Sequence, residues 1–362
     1  MPVCFFYDSC NDFLEGCRTS LNRTIDDAYY PGLKFSVAEE FMNETHILIK
    51  YDLLEFTTKG NLTDSYLEIT QKAKEMLLGE NAKLFTKMAA GTNIIQPDKI
   101  VAKELFYSSE NQSEISRLTS SLQEENLKSI QDRLTEKGLP KGIAVLLYGA
   151  PGTGKTESVY QIAKTTERRI LQVDISSAKS CWFGESEKIV KKIFTDYKNL
   201  CKACKNEKDG KMPILLFNEA DGILSKRKDV SSSNVAQTEN TIQNIILEEI
   251  EKLEGIMIAT TNLADNLDGA FERRFLFKIK FENPTVEAKQ KIWKSKLDWL
   301  SEDTIAAVAQ NYDLSGGQID NIVRKITMDE VLTGSRPNFE ALSVLCKNER
   351  MSNATERKIG FF

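Results

Sequence analysis

The octapeptide GAPGTGKT at positions 149–156 limits the fold of this chain more than any other sequence feature. It follows the apolar run IAVLLY and precedes the helix-forming run ESVYQIAK. Its glycines and its final Lys-Thr match the pattern G-x-x-x-x-G-K-[ST], in which a strand, a glycine-rich loop and a helix together bind phosphate. The pattern therefore predicts an α/β fold whose buried parallel sheet carries this loop at one edge.

Each part of the loop has a predicted role in binding ATP and Mg²⁺. Backbone N–H groups surround the phosphates, and the following helix presents the positive end of its dipole. The Lys155 ammonium reaches the β- and γ-phosphates, and the Thr156 hydroxyl binds Mg²⁺. The predicted nucleotide-binding residues of the loop are Gly149, Ala150, Pro151, Gly152, Thr153, Gly154, Lys155 and Thr156.

A second apolar run, PILLFNEADGIL, reaches polar residues at Asn218 and Glu219, 62 residues after Thr156. In phosphoryl-transfer sites with such a loop, the acid that ends this strand helps to hold magnesium. Asn218 stands at that position and keeps a carbonyl oxygen as acceptor, but it lacks the negative charge. We predict that Asn218 contributes to the metal site and that Glu219 orients the attacking water. The amide should weaken metal binding more than the hydrolytic step.

Three further segments occur in order after the glycine-rich loop: SCWFGESEKIVKKIF (180–194), which precedes PILLFNEADGIL, and IMIATTN (256–262) and LDGAFERRF (267–275), which follow it. Together with the loop and LLFNEAD, they strongly resemble the AAA ATPases of the AAA+ superfamily. The chain resembles a single AAA module of bacterial type, with Asn218 in place of the usual Asp in the Walker B motif. The resemblance covers roughly residues 105–345, and it is specific because five motifs occur in the correct order.

The resemblance implies catalytic roles for residues outside the loop. Asn262 matches the sensor-1 position, whose amide holds the attacking water or the γ-phosphate. Arg273 and Arg274 match arginine fingers, which reach the site of a neighbouring subunit. A guanidinium there stabilises the charge of the transferred phosphoryl group. By themselves, two adjacent arginines could equally cap a helix or bind surface acids.

The resemblance also implies a pore loop and a lid. Trp182 and Phe183 match the loop that grips an extended polypeptide in the central channel of AAA hexamers. A tryptophan is also commonly buried in a core, and the residues alone leave that alternative open. The segment LSGGQIDNIVRK (314–325) matches the helical lid that covers adenine, where Gly317 permits close approach of the backbone to the nucleotide.

The predicted fold is an α/β P-loop NTPase of the AAA+ type, with a parallel sheet flanked by helices, a small helical lid and an N-terminal α+β domain. The run ILIKYDLLEFTTKGNLTDSYLEITQKAKEMLLG predicts strand, turn, strand and helix, and it resembles the wing half of a winged-helix domain. The predicted domains are the N-terminal domain at 1–90, a helical connector at 91–140, the large AAA subdomain at 141–282, the lid at 283–350 and a polar tail at 351–362.

Charge and cysteine usage narrow the classes of function. The first hundred residues hold 10 Lys and Arg against 15 Asp and Glu, whereas the remainder holds 38 of each. This balance argues against a nucleic-acid binder, which would carry excess positive charge. No run approaches the ~18 apolar residues of a membrane span, and the start MPVCFFYDSC lacks the basic region of a signal peptide. Seven cysteines without such a signal predict reduced thiols in the cytoplasm.

The sequence therefore predicts an ATPase that couples ATP hydrolysis to remodelling or threading of a protein substrate through the pore of a homo-oligomer, expected to be a hexamer. Two alternatives stay open. A nucleotide-binding switch or scaffold would hydrolyse ATP slowly or not at all, because Asn218 replaces an acid. A DNA-associated AAA+ remodeller would use the N-terminal domain on nucleic acid, against the acidic balance of that region.

Overall fold

The computed structural model describes residues 19–78, 92–174, 186–208, 210–226, 234–262 and 267–349. The chain divides into two compact units, Met1–Met88 and Ala89–Phe362, and we describe each unit by itself. Among the described helices, none has both the length and the apolar character needed to cross a membrane.

The first unit is an α+β structure with a three-stranded antiparallel sheet in the order β1-β3-β2. Its elements are β1 (Thr19–Ser20), α1 (Leu21–Ala28), α2 (Lys34–Met42), α3 (Ile47–Lys50), β2 (Leu54–Thr58), β3 (Tyr66–Ile69) and α4 (Gln71–Leu78). Asn61 shapes the turn between β2 and β3, because its side-chain oxygen accepts hydrogen bonds from the backbone N–H groups of Thr63 and Asp64. Helices lie between β1 and β2, and this hairpin follows them. The winged-helix-like character of this unit stays a prediction.

The second unit is built on a six-stranded sheet in the order β4-β6-β7-β8-β5-β9. Its strands are β4 (Thr92–Ile95), β5 (Ile143–Gly149), β6 (Ile170–Asp174), β7 (Ile214–Asn218), β8 (Ile256–Thr261) and β9 (Phe277–Phe281). β4 runs antiparallel to β6, whereas the other neighbouring strands are parallel. Because β7, β8 and β5 are adjacent and parallel, their carboxyl ends meet at one edge of the sheet.

The central strands are apolar on both faces. All six residues of β8 and the first four of β7 are buried, as is typical of parallel strands covered by helices on both sides. The helices of this part are α5 (Ser109–Ser121), α6 (Glu124–Glu136), α7 (Lys155–Thr166), α8 (Ser186–Asn206), α9 (Asp221–Leu224), α10 (Asn234–Glu251) and α11 (Gly269–Glu272). The runs IAVLLYG and ILLFN, which the sequence analysis predicts as buried strands, are β5 and β7.

The region predicted as a helical connector, 91–140, supplies one strand and two helices to the second unit. β4 pairs along β6 at the edge of the sheet. Leu118 and Leu127 of α5 and α6 lie in the same core as the central strands. The buried Arg168 guanidinium fastens these helices, because it donates hydrogen bonds to the Leu122 carbonyl and to the Glu124 carboxylate. Residues 92–136 are therefore part of the core of the α/β unit.

The C-terminal part forms a four-helix lid with a core of its own. Its helices are α12 (Val286–Lys296), α13 (Glu302–Asn311), α14 (Gly316–Thr333) and α15 (Phe339–Glu349). Trp293 and Ile322 lie in its core. α14 begins with a capping box, in which Ser315 and Gln318 exchange hydrogen bonds between side chain and backbone. This cap fixes the position at which α14 begins.

Candidate nucleotide-binding site

A cavity of about 730 Å³ lies at the carboxyl edge of the parallel strands. It is lined by the P-loop, which is the glycine-rich loop at 149–156, by the residues that follow β7, by the end of β8 and by the start of α14. The lining residues include Lys155, Thr156, Glu219, Asn262 and Gly317. A volume of several hundred Å³ suits a ligand of nucleotide size. The structure thus brings together residues that belong to separate sequence motifs.

The P-loop backbone adopts conformations that favour glycine. Gly152 and Gly154 have φ angles of +73° and +94°. At Gly149, a β-carbon would lie 1.9 Å from the Phe281 carbonyl oxygen, so β5 approaches β9 too closely for a side chain. α7 then begins at Lys155, and the first N–H groups of a helix have no carbonyl partner within it. The loop therefore offers backbone donors to an anion.

The Lys155 ammonium is held by its own chain. Its Nζ donates to Gly149 O at 2.8 Å, to Ala150 O at 2.7 Å and to Asn262 Oδ1 at 2.9 Å. An ammonium has three N–H donors, so all of them are used in this arrangement. Burial lowers the pKa of Lys155, and the nearby carboxylates of Asp221 and Glu219 counteract this in part. A phosphate group can bind Lys155 only by replacing one of these acceptors.

Asn218 lies at the end of β7, beside Thr156. Its Oδ1 accepts a hydrogen bond from the Thr156 hydroxyl at 2.8 Å and one from the Thr260 hydroxyl at 3.0 Å. Because Thr156 donates its proton to Asn218, the lone pairs of the Thr156 oxygen stay available to a metal ion. Both lone pairs of the Asn218 oxygen are engaged, so the amide acts on Thr156 more directly than on a metal-bound water.

Glu219 lies at a bend between β7 and α9. Its φ angle is +52°, in the left-handed region that is uncommon for residues with a side chain. Its backbone N–H donates to Thr260 Oγ1 at 3.1 Å. The side chain is exposed and lines the cavity, and its carboxylate has no hydrogen bond or ion pair within the described residues. The bend therefore presents an unpaired carboxylate to the cavity.

Asp221 belongs to the site, although sequence reasoning did not single it out. Its carboxylate accepts hydrogen bonds from the Thr261 hydroxyl, from the Asn262 backbone N–H at 2.8 Å and from Asn262 Nδ2 at 3.3 Å. These contacts turn the Asn262 amide so that its Oδ1 faces Lys155. The sequence feature that could have indicated Asp221 is its place as the third polar residue of the run NEAD, directly after the buried strand.

Arg273 and Arg274 follow α11 and do not line the cavity. The Arg274 guanidinium is held within its own chain, since it donates to the Ala270 carbonyl and pairs with the Glu251 carboxylate. Arg273 is exposed and has no hydrogen bond or ion pair within the described part of the chain. Of the two predicted arginine fingers, Arg274 is therefore held by contacts within its own chain, whereas Arg273 has no such contact within the described residues.

The lid touches the P-loop through the first turn of α14. The Gly317 N–H donates to the Gly152 carbonyl at 2.9 Å. A β-carbon at Gly317 would lie 3.1 Å from the Gly152 Cα, so a larger residue would push the two segments apart. Gly317 also lines the cavity, at the place where the sequence analysis predicts a contact with the nucleotide.

The coil before α5 forms a further wall of the cavity, which the sequence analysis did not predict. Lys103 Nζ pairs with Glu157 at 2.6 Å, and its backbone N–H donates to Gln161. The Tyr107 hydroxyl lies 2.8 Å from Ser158 Oγ. All of these partners lie on α7, so the coil is fastened to the helix that follows the P-loop. No periodicity marks this coil, and its contacts could not be predicted from the residues.

The predicted pore residues, Trp182 and Phe183, lie outside the described residues. The described part of that segment begins at Ser186, where α8 begins. Their role therefore stays a prediction.

This fold and this site define a P-loop nucleotide-binding domain. Residues 145–283 match the family model described as "ATPase family associated with various cellular activities (AAA)". The chain therefore carries an ATPase domain of the AAA family, and the resemblance found in its motifs is confirmed.

Individual known proteins agree with this assignment. Cell division protein C of Sulfolobus acidocaldarius is 32% identical over 190 residues, which cover 49% of this chain and 48% of that protein. The 26S proteasome regulatory subunit 4 homolog of Saccharomyces cerevisiae is 29% identical over 313 residues, which cover 79% of this chain and 66% of that protein. The chain thus spans about half to two thirds of the length of these relatives. The solved AAA domain of FIGL-1 in complex with ADP has a TM-score of 0.52 at 17% identity, over 72% of this chain and 88% of that one, which confirms the fold.

Lys155→Ala is expected to weaken ATP binding by about 100-fold, because charge-assisted hydrogen bonds to the phosphates are lost. Equilibrium titration with a fluorescent ATP analogue measures this. Lys198→Ala is the matched control, since it removes an exposed lysine of α8 that pairs with Glu249, and it should keep the native affinity. Undiminished affinity in Lys155→Ala would count against the site.

Proposed function

We propose that this protein hydrolyses ATP, with Mg²⁺ as cofactor, and uses the reaction to remodel or thread a protein substrate. One observation carries the proposal. A single cavity is lined by the P-loop with Lys155 and Thr156, by the unpaired carboxylate of Glu219 and by Asn262. Asn218 does not line it and acts through Thr156, whose hydroxyl donates a hydrogen bond to its side-chain oxygen. Membership of the domain in the AAA family supports the same conclusion.

Each residue has a distinct part in this reaction. The P-loop and Lys155 hold the phosphates and stabilise the negative charge that develops as the terminal phosphoryl group is transferred. Glu219 accepts a hydrogen bond from a water molecule, directs its oxygen at the γ-phosphorus and takes up the proton that the water loses. The bond that forms joins this oxygen to the γ-phosphorus. The bond that breaks joins the γ-phosphorus to the β–γ bridging oxygen, and ADP and phosphate leave.

The residues fit a magnesium ion that is held mainly by the nucleotide. Thr156 donates its proton to Asn218 and keeps its lone pairs for the metal. No cluster of three or more His, Cys, Asp or Glu side chains in the described part of the chain could hold a metal by itself. Mg²⁺ in nucleotide sites binds few protein groups and keeps several waters. When bound, it would neutralise charge on the β- and γ-phosphates.

We further propose that the protein works as a homo-oligomer, expected to be a hexamer, in which Arg273 reaches the cavity of a neighbouring copy. Its exposure and its lack of a partner within the described residues support this. In the same assembly, Trp182 and Phe183 would engage the protein substrate. One relative is a regulatory subunit 4 homolog of the 26S proteasome, and action on a protein is proposed here for this chain as well.

The free thiols of Cys201, Cys204 and Cys346 support a reducing compartment, as expected of the cytoplasm.

A nucleotide-operated switch is the second candidate function. The missing charge of Asn218 and the hydrogen bonds that its oxygen already accepts favour this function. Its amide carries no charge, and its oxygen already accepts hydrogen bonds from two hydroxyl groups. In such a protein, nucleotide would bind and bias the lid, while turnover would stay slow.

Phosphate release from ATP distinguishes these functions, when it is measured across Mg²⁺ and protein concentrations. We expect turnover that requires Mg²⁺ and that rises more steeply than linearly with protein concentration. Tight nucleotide binding without turnover at saturating Mg²⁺ would favour the switch. Failure to bind nucleotide at all would overturn both functions.

Asn218→Asp should lower the apparent Mg²⁺ requirement of turnover by roughly tenfold, because it adds a negative charge beside Thr156 and about 1.4 kcal/mol of the attraction survives desolvation. Maximal turnover should change less, since Glu219 orients the water in both proteins. Magnesium titrations of phosphate release measure both quantities. A rise from no turnover to a normal rate at saturating magnesium would instead identify the native protein as the switch.

A further inference from the structure

We infer that Thr260 is a positioning residue of the ATPase site, because its single hydroxyl fixes both the amide of Asn218 and the backbone of Glu219. The inference rests on the proposed function and names a residue that this function does not yet use. Thr260 lies on β8, one residue before its end, and only 2% of its surface is exposed. It acts through Asn218, the last residue of β7, and through Glu219, which follows β7.

The hydrogen bonds of Thr260 determine which way its proton points. Its Oγ1 lies 3.1 Å from the Glu219 backbone nitrogen and 3.0 Å from Asn218 Oδ1. A backbone N–H can only donate, so Thr260 accepts from Glu219. The hydroxyl proton is then free for Asn218, and it requires the amide oxygen as its acceptor.

This orientation of the Asn218 amide determines whether the Thr156 hydroxyl donates a hydrogen bond to Asn218 or accepts one from it. With Oδ1 turned towards the two threonines, Thr156 donates its proton to Asn218 and keeps its lone pairs for a metal ion. If the amide were turned around, Nδ2 would donate to Thr156 and occupy one of those lone pairs. A carboxylate has two equivalent oxygens and no such wrong orientation. The need for Thr260 therefore follows from the presence of an amide at position 218.

The same threonine also holds the bend that presents Glu219. The left-handed backbone of Glu219, with φ of +52°, is uncommon for such a residue. Two hydrogen bonds to Thr260 support it: the Glu219 N–H donates to the hydroxyl, and the Ala220 N–H donates to the carbonyl at 2.8 Å. The hydroxyl therefore connects the metal side of the site with the side that orients the attacking water.

Thr260→Val tests the inference, because it removes the hydroxyl and keeps a β-branched side chain. We expect affinity for ADP in the presence of Mg²⁺ to fall about tenfold, as for one lost buried hydrogen bond. Affinity for ADP without Mg²⁺ should stay native, and turnover should also fall about tenfold. Calorimetric titration of the full chain with ADP, with and without Mg²⁺, gives a readout that does not depend on turnover. Thr260→Ser keeps the hydroxyl and should restore both properties.

Thr166→Val is the matched control. It removes another buried threonine hydroxyl, which donates to the Ile162 carbonyl, about 16 Å along α7 from Lys155. It should leave the magnesium-dependent affinity native.

Native behaviour of Thr260→Val, or a tenfold loss in Thr260→Ser, would overturn the inference. If the valine variant does not fold, Thr260→Ala takes its place, because it lacks the hydroxyl and introduces no new atoms. Failure of the native protein to bind ADP would overturn the proposed function itself. If the native protein binds ADP and the Thr260 variants keep the native magnesium-dependent affinity and turnover, only the role of Thr260 is overturned.

Discussion

Glu219→Gln should lower ATP turnover by about 10²- to 10⁴-fold and leave ATP bound, since a general base typically contributes that much. The amide keeps the shape of the side chain but cannot take up a proton. Loss of ATP binding is not expected, because the proposed contacts with the phosphates come from Lys155 and the P-loop glycines and not from Glu219. Single-turnover phosphate release measures the first effect, and equilibrium binding of ATP measures the second.

Glu248→Gln is the control for this substitution. Glu248 is an exposed residue of α10 that pairs with Lys252, and its replacement should leave turnover native. Full turnover in Glu219→Gln would remove Glu219 from the reaction. A loss of ATP affinity as large as the loss of turnover would show that the bend around Glu219 supports the nucleotide and not the water.

Arg273→Ala should reduce turnover by about 10³-fold, the effect expected when an arginine finger is removed from a phosphoryl-transfer site. The exposed Arg273 guanidinium has no partner within the described residues, so its removal should cost little folding stability. Arg274→Ala breaks contacts with Ala270 and Glu251, and it should lower the free energy of unfolding by about 1 kcal/mol. Steady-state turnover and thermal unfolding of both variants separate these effects.

Mixing experiments test whether Arg273 acts between copies. Arg273→Ala mixed with Glu219→Gln should recover part of the activity, because some interfaces then pair an intact Glu219 with an intact Arg273. Arg274→Ala alone should keep its turnover, so an equally large loss of turnover in Arg274→Ala would contradict the different roles of the two arginines. Turnover that is independent of protein concentration, with no recovery on mixing, would contradict action in trans.

The local parts of the site could be predicted from the sequence because neighbouring residues determine them. The P-loop conformation follows from glycines placed where φ is positive, at Gly152 and Gly154. β5 and β7 follow from uninterrupted apolar runs of strand length. The start of α14 follows from the capping residues Ser315 and Gln318.

The remaining parts depend on which strands and helices are neighbours, and a single sequence does not determine that. Thr260 reaches Asn218 because β7 and β8 pair in one register. The difference between Arg273 and Arg274 depends on Glu251, which comes from α10. The coil at 103–107 is ordered by α7, which follows it by some fifty residues in the chain. Tertiary contacts of this kind carry no local periodicity.

The three hydrogen bonds of the Lys155 ammonium reduce the free energy that an anion can gain by binding to it in the cavity. A small anion gains the attraction of the ammonium but must first displace an acceptor that already satisfies it. A ligand with several linked phosphates and a base can offset that loss through additional contacts with the P-loop and the lid. A free phosphate ion is therefore expected to bind at Lys155 more weakly than a nucleotide, because its few contacts must compensate for the loss of one of these acceptors.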